Sequence, residues 1–126
     1  MPAAVFVVNP AHDNRGWIAA ALASTDYVVE YVADGAGLFA QLPSEHPACV
    51  VSFAEPDARA ALELVREVRR KFPDLPVIVL GPHSAFRTAV DIARLPATDF
   101  LELPVSGRQL RLTIGKALKV VPDEPC

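Results

Sequence analysis

The stretch Ala48-Cys49-Val50-Val51-Ser52-Phe53-Ala54-Glu55-Pro56-Asp57 decides how the rest of the chain is read. Cys49 to Phe53 is a short apolar run with two β-branched valines, closed by Pro56 and followed by a helical pattern. A strand buried on both faces of a parallel sheet reads this way, and folds built on such sheets place their chemistry at the carboxyl ends of the strands. The residue at that end is Phe53, which cannot act as a nucleophile, an acid, a base or a metal ligand.

Working outward, the same alternation of apolar strand and amphipathic helix extends in both directions. Upstream, Val5 to Val8 reads as a strand that stops at Asn9-Pro10, where proline removes a ladder donor. Asn14 is placed to cap a helix with Ile18, Ala21 and Leu22 on one face. Tyr27 to Val32 has the aromatic and β-branched content of a second strand. Asp34 to Gly37 then reads as a turn, and Leu38 to Leu42 as a short helix ended by Pro43.

Downstream, Ala58 to Lys71 reads as a helix with Ala61, Val65, Val68 and Phe72 inward and Glu63, Arg66, Glu67 and Arg70 outward. Val77 to Leu80 is a buried strand, and Gly81 to Ser84 a loop. Phe86, Ala89, Val90 and Ala93 mark one face of a fourth helix that Pro96 closes. Asp99 to Leu103 reads as a last strand before Pro104, and Ser106 caps a helix carrying Leu110, Ile114, Ala117 and Leu118 on one side. Five strands alternating with five helices predict an α/β fold, a doubly wound parallel sheet with helices on two faces and right-handed crossovers. The expected organisation is one domain over residues 1–120, with 121–126 a flexible tail or the start of a linker.

Composition narrows the function classes. A chain of 126 residues, 52% apolar and 21% charged, suits one globular core. A net charge of -3 and a pI near 5.5 argue against direct nucleic-acid contact by this domain. Arg69-Arg70-Lys71 stands at a helix end, where cations complement the helix dipole. No apolar run approaches the roughly 20 residues needed to span a bilayer, and Met1-Pro-Ala-Ala has no signal-peptide pattern. Cys49 and Cys126 form neither a disulfide framework nor a metal spacing, so a reducing cytoplasm is the expected location.

Three segments carry a resemblance: Val5-Phe-Val-Val-Asn-Pro10, Asp74-Leu-Pro-Val-Ile-Val-Leu80 and Ala97-Thr-Asp-Phe-Leu-Glu-Leu-Pro104. From Val5 to about Leu118 the chain resembles the receiver domain of bacterial two-component response regulators. The resemblance implies a flavodoxin-like five-stranded sheet in the order 2-1-3-4-5. It also implies a site: an aspartate that accepts phosphate after the third strand, two acids that help it hold Mg²⁺, a hydroxyl and a lysine. None of these is present. The acidic pair aligns with Asn9 and Pro10, the acceptor with Phe53, the hydroxyl residue with Gly81 and the lysine with Leu103. Pro104, whose preceding bond is typically cis in the family, and the aromatic switch position, Phe100, are retained.

Other residues offer candidates, each with an ordinary structural reading beside it. Glu55 and Asp57 follow the third strand but suit helix capping. Ser52 alternates to the opposite side from Phe53, and Ser84 stands in for the missing hydroxyl only if its loop is shifted. His12, Asp13 and His83 fall on loops at one edge, without the spacing of a metal site. Trp17 lies beside the core stripe, as a core edge or a partner contact.

The expectation is therefore a non-phosphorylatable pseudo-receiver, not an enzyme, with no cofactor and no metal. It would act as a protein-interaction or dimerisation module in signalling or transcriptional regulation, meeting a protein partner, an output domain or a second copy of itself. The expected face comprises Arg87, Asp91, Arg94, Phe100, Arg108 and Arg111. The alternatives are a receiver with an atypical acceptor and a small-ligand sensor using the altered cleft.

Overall fold

Runs of valine, isoleucine and leucine without a charge can be buried on both sides, whereas runs holding Glu30, Asp99 or Glu102 must keep one side near water. The computed structural model of the chain, which describes residues 3–8, 12–42, 47–54 and 58–118, sorts the strands on that basis. The central strands are β1 (Ala4–Val8), β3 (Ala48–Phe53) and β4 (Val77–Gly81); the edges are β2 (Val28–Val32) and β5 (Thr98–Glu102). All pairings are parallel, in the order β2-β1-β3-β4-β5. The expected fold class and strand order are observed.

Alternation along the strands divides the core in two. Val5, Val7, Cys49, Val51, Phe53, Ile78 and Leu80 face α1 (His12–Leu22) and α5 (Gly107–Leu118), which supply Ile18, Ala21, Leu22, Leu110 and Ile114. Phe6, Val8, Val50, Ala54, Val77 and Val79 face the other way. They pack under α2 (Gly35–Ala40), α3 (Ala58–Lys71) and α4 (Phe86–Ala93), through Leu38, Val65, Val68 and Ile92.

Several boundaries differ from the sequence reading, each for a local reason. Helix α2 starts at Gly35, because the Asp34 carboxylate accepts from the Gly37 amide at 2.9 Å and caps it. Gly35 and Gly37 favour a turn in the sequence pattern, and the cap overrides that preference. Helix α1 begins at His12, so Asn14 lies within its first turn rather than capping it. In α4 the inward residue is Ile92, fully buried, while Val90 is 38% exposed and Ala93 is exposed. Ile92 stands at one margin of the apolar arc of this eight-residue helix, and the packing turns that margin, rather than Val90 at the other, toward the core. Strand β5 stops at Glu102, leaving Leu103 just beyond it.

Other features agree. Helix α3 spans Ala58–Lys71, the Ser106 hydroxyl accepts from the Gln109 amide at 3.0 Å, and the Leu103–Pro104 bond is cis. Among the three cations ending α3, Arg70 and Lys71 reach Glu67, while Arg69 turns back to bind carbonyls beyond the helix. The tail, 121–126, lies outside the described residues.

Candidate functional site

Parallel strands deliver all their carboxyl ends to one edge, and the residues there define what the fold can do. On the α1/α5 side of that edge Phe53 is 6% exposed and stands in register with Leu80, which is fully buried. Leu103 and Val105, half-buried, pack against the same cluster. On the α4 side the end of β4 is Gly81, also buried. A Cβ at Gly81 would lie 2.7 Å from the Ala54 Cβ and 2.9 Å from the Phe100 Cζ. The space a side chain needs there is filled by the Phe100 ring. The Leu103 amide donates to the Gly81 carbonyl at 2.7 Å, extending the β4–β5 ladder past the last strand residue.

The structure places Phe53, Gly81 and Leu103 at one edge; Asn9, Pro10, Glu55 and Asp57 lie outside the described residues. Ser52 is 3% exposed and alternates away from Phe53, toward Ala54 and Val79. Ser84 is exposed on a short 3₁₀ turn, His83–Ala85. His12 and Asp13 fall in the first turn of α1, and their side chains are outside the described set. Among the described residues, no group of three His, Cys, Asp or Glu is arranged to hold a metal ion. His83 instead faces Glu102 at 3.3 Å, with both side chains largely in water, a contact worth little. Sequence reading missed this pair, because it joins the 3₁₀ turn after β4 to the end of β5, 19 residues apart in number (102 minus 83).

Beside the edge, a groove of about 740 Å³ runs between α1 and the segment after β5, lined by Trp17, Ala20, Ala21, Pro82, Leu103, Pro104, Val105 and Gly107. Trp17 is half-buried at its margin.

The expected interaction face is only partly assembled. Arg87, Asp91, Arg94 and Arg108 are exposed, and Phe100 is half-buried on the α4 side. Arg111 turns the other way: its guanidinium donates to the Ala21 carbonyl at 2.9 Å, joining α5 to α1. Exposed apolar side chains stand nearby on the same helices, Val90 at 38% and Leu112 at 55%. Leu112 was findable, since it falls off the Leu110–Ile114 stripe of its helix.

A family model described as response regulator receiver domain matches residues 5–115 of the chain. The chain is 24% identical over 119 residues to the nitrogen assimilation regulatory protein NtrX of Azorhizobium caulinodans, covering 93% of this chain and 26% of that protein. It is 31% identical over 101 residues to the photosynthetic apparatus regulatory protein RegA of Rhodovulum sulfidophilum, covering 78% of this chain and 54% of that one. Among solved structures, the receiver domain of NtrX from Brucella abortus matches with a TM-score of 0.80 at 26% identity, covering 93% and 99% of the two chains. The chain spans 26% of the first relative's length and 54% of the second's.

Proposed function

The chain belongs to the response regulator receiver domain family, and on that premise we propose that it is a receiver that takes no phosphate and serves as a protein-binding or dimerisation module in signal transduction. The observation that carries this is Phe53, 6% exposed and packed with Leu80 and Leu103 at the position where the family's acceptor aligns. Transfer of a phosphoryl group needs an anionic oxygen to receive it and a hard-ligand site for Mg²⁺ beside it. A phenyl ring supplies neither. Asn9 and Pro10 carry no charge, Gly81 no hydroxyl and Leu103 no amine, so the five positions agree with one another. Burying a ring such as Phe53 stabilises by about 1.5–3 kcal/mol, so the altered edge contributes to the core.

What remains for such a domain is its surface. Arg87, Asp91, Arg94 and Arg108 mix charges of both signs beside the exposed Val90 and Leu112, which suits a specific protein contact with a polar rim. The protein is to be incubated with Mg²⁺ and acetyl phosphate and weighed intact. An unchanged mass is the expected result; a stoichiometric adduct of one phosphate would sink the proposal and favour an atypical acceptor.

The groove beside Trp17 favours a second reading, a domain that binds a small apolar ligand there. A thermal-shift screen tests it, because a ligand at 100 times its dissociation constant stabilises by about 2.7 kcal/mol.

A further inference from the structure

We propose that the domain assembles head to tail with copies of itself, the acidic β2 edge of one copy docking on the basic α3–α4 face of the next. This rests on the reading of the domain as a binding or dimerisation module, and it names the occupant and the two surfaces.

Charge is segregated along the chain. Residues 1–57 hold seven acids and one cation, Arg15, whereas residues 58–118 hold ten cations and six acids. The fold keeps the two sets apart. In the sheet order β2-β1-β3-β4-β5 the strands of the first segment lie together on one side and those of the second on the other. At the acidic edge Asp26, Glu30 and Asp34 are exposed, four residues apart along β2 and its flanks. Val28 stands between the first two, 45% exposed and open to apolar contact.

Across the molecule, α3 and α4 lie side by side and repeat one charge pattern. Arg59, Glu63 and Arg66 on α3 match Arg87, Asp91 and Arg94 on α4 and in the turn that closes it; all six are exposed. Seven residues make about 10 Å of helix and nearly two whole turns, so each pair of arginines shares one face. Both helices run back along a parallel sheet, and their arginines form two rows about 8–10 Å apart. Among the described residues no carboxylate pairs with Arg66, Arg87 or Arg94, and no cation pairs with Asp26 or Glu30.

Like charges decide the mode of contact. Two β2 edges brought together would oppose their acids, and two α3–α4 faces would oppose their arginines, which disfavours a two-fold contact through either surface. Acid on base is the pairing left to these surfaces. Because the two differ, the contact is heterologous, and each copy keeps one surface open for the next. Exposed pairs are individually weak, so the assembly depends on concentration and is lost as salt shortens the Debye length.

Sedimentation of the whole chain over a concentration series tests this. In about 20 mM salt the weight-average mass should rise with concentration to at least about twice the monomer, and about 0.5 M salt should return it to the monomer. Arg66→Glu/Arg94→Glu and Asp26→Lys/Glu30→Lys change exposed side chains, and each variant should be monomeric alone. Their equimolar mixture should regain association, since the intact basic face of one meets the intact acidic edge of the other. Arg66→Lys/Arg94→Lys keeps the charge and should behave as the wild type. A wild type that stays monomeric up to about 1 mM at low salt, an association indifferent to salt, or a mixture that stays monomeric would overturn the proposal. A monomeric wild type that binds a fluorescent oligonucleotide through these arginines would give the basic face to nucleic acid instead. Near about 0.15 M salt the head-to-tail contact is screened, so capture through the α4–β5–α5 surface remains a separate readout of the binding-module reading. A mass adduct after acetyl phosphate would overturn the phosphate-free reading alone, whatever the state of assembly.

Discussion

Arg69 and Ala97 meet across the end of α3, where the guanidinium reaches the Ala97 carbonyl at 3.3 Å. The same group donates to the carbonyls of Phe72 at 3.0 Å and Pro73 at 2.9 Å and to the Thr98 hydroxyl at 3.2 Å. One side chain therefore stops a helix and anchors an edge strand. Ala97 has a left-handed backbone, φ 55°, a conformation that alanine adopts at a cost and that this bond helps hold.

Arg69→Ala is expected to lower stability by about 1.5–3 kcal/mol, the range for charge-assisted hydrogen bonds, read as a shift in the urea midpoint. Arg69→Lys should recover little of it, because an ammonium cannot span acceptors on both elements as the planar fork does.

Phe53→Asp, which puts the family's acid back, should fail on both counts. The side chain enters a cluster of Val51, Leu80 and Ile114, so stability should fall by at least about 3–5 kcal/mol, the cost of removing a buried ring. Intact mass after acetyl phosphate and Mg²⁺ should show no adduct, since neither Asn9 nor Pro10 supplies a carboxylate to the cation.

Cys49 is fully buried, and burial pushes its thiol up from 9.0 to about 12, with the negative charge of Asp99 adding to the effect. The folded state then holds this proton where the unfolded state has lost it. Stability from this group is intact below pH 9 and is lost as pH rises through 9 to about 12. In a Cys126→Ser background, Cys49 should resist thiol reagents at pH 8 until denaturant is added. Cys49→Ala should show a shallower fall in urea midpoint across that alkaline window.

Arg108→Glu and Leu112→Gln change exposed positions and should each move stability by no more than about 0.5 kcal/mol. If the α4–β5–α5 surface meets a partner, both variants should lose material captured by the wild-type domain from its native lysate, while Arg66→Glu, exposed on α3, should not. Equal capture by all of them would remove this face from the proposal.

Much of the architecture was legible because its signals are local. The runs Val5–Val8, Cys49–Phe53 and Val77–Leu80 can be buried on both sides wherever they lie, and the alternation with helices compels a parallel sheet. That Phe53 itself brings no acid, base or metal-binding group was equally legible, since a phenylalanine is inert in any setting. What the linear pattern could not supply was direction. Whether Val90 or Ile92 faces inward depends on where α3 and β5 leave room, and whether Arg111 joins a binding face depends on α1 offering the Ala21 carbonyl.

Phe53 makes the division plain. The sequence by itself determined that the third strand ends in a residue without acid, base or metal-binding chemistry. Only the tertiary structure decided what occupies the edge: Phe53 and Leu103 on one face, and on the other the Phe100 ring in the space over Gly81. The physical reason is that side-chain chemistry is a property of one residue, whereas filling a volume depends on residues distant in number converging, Phe53 with Leu80 on one face of the sheet and Gly81 with Phe100 on the other.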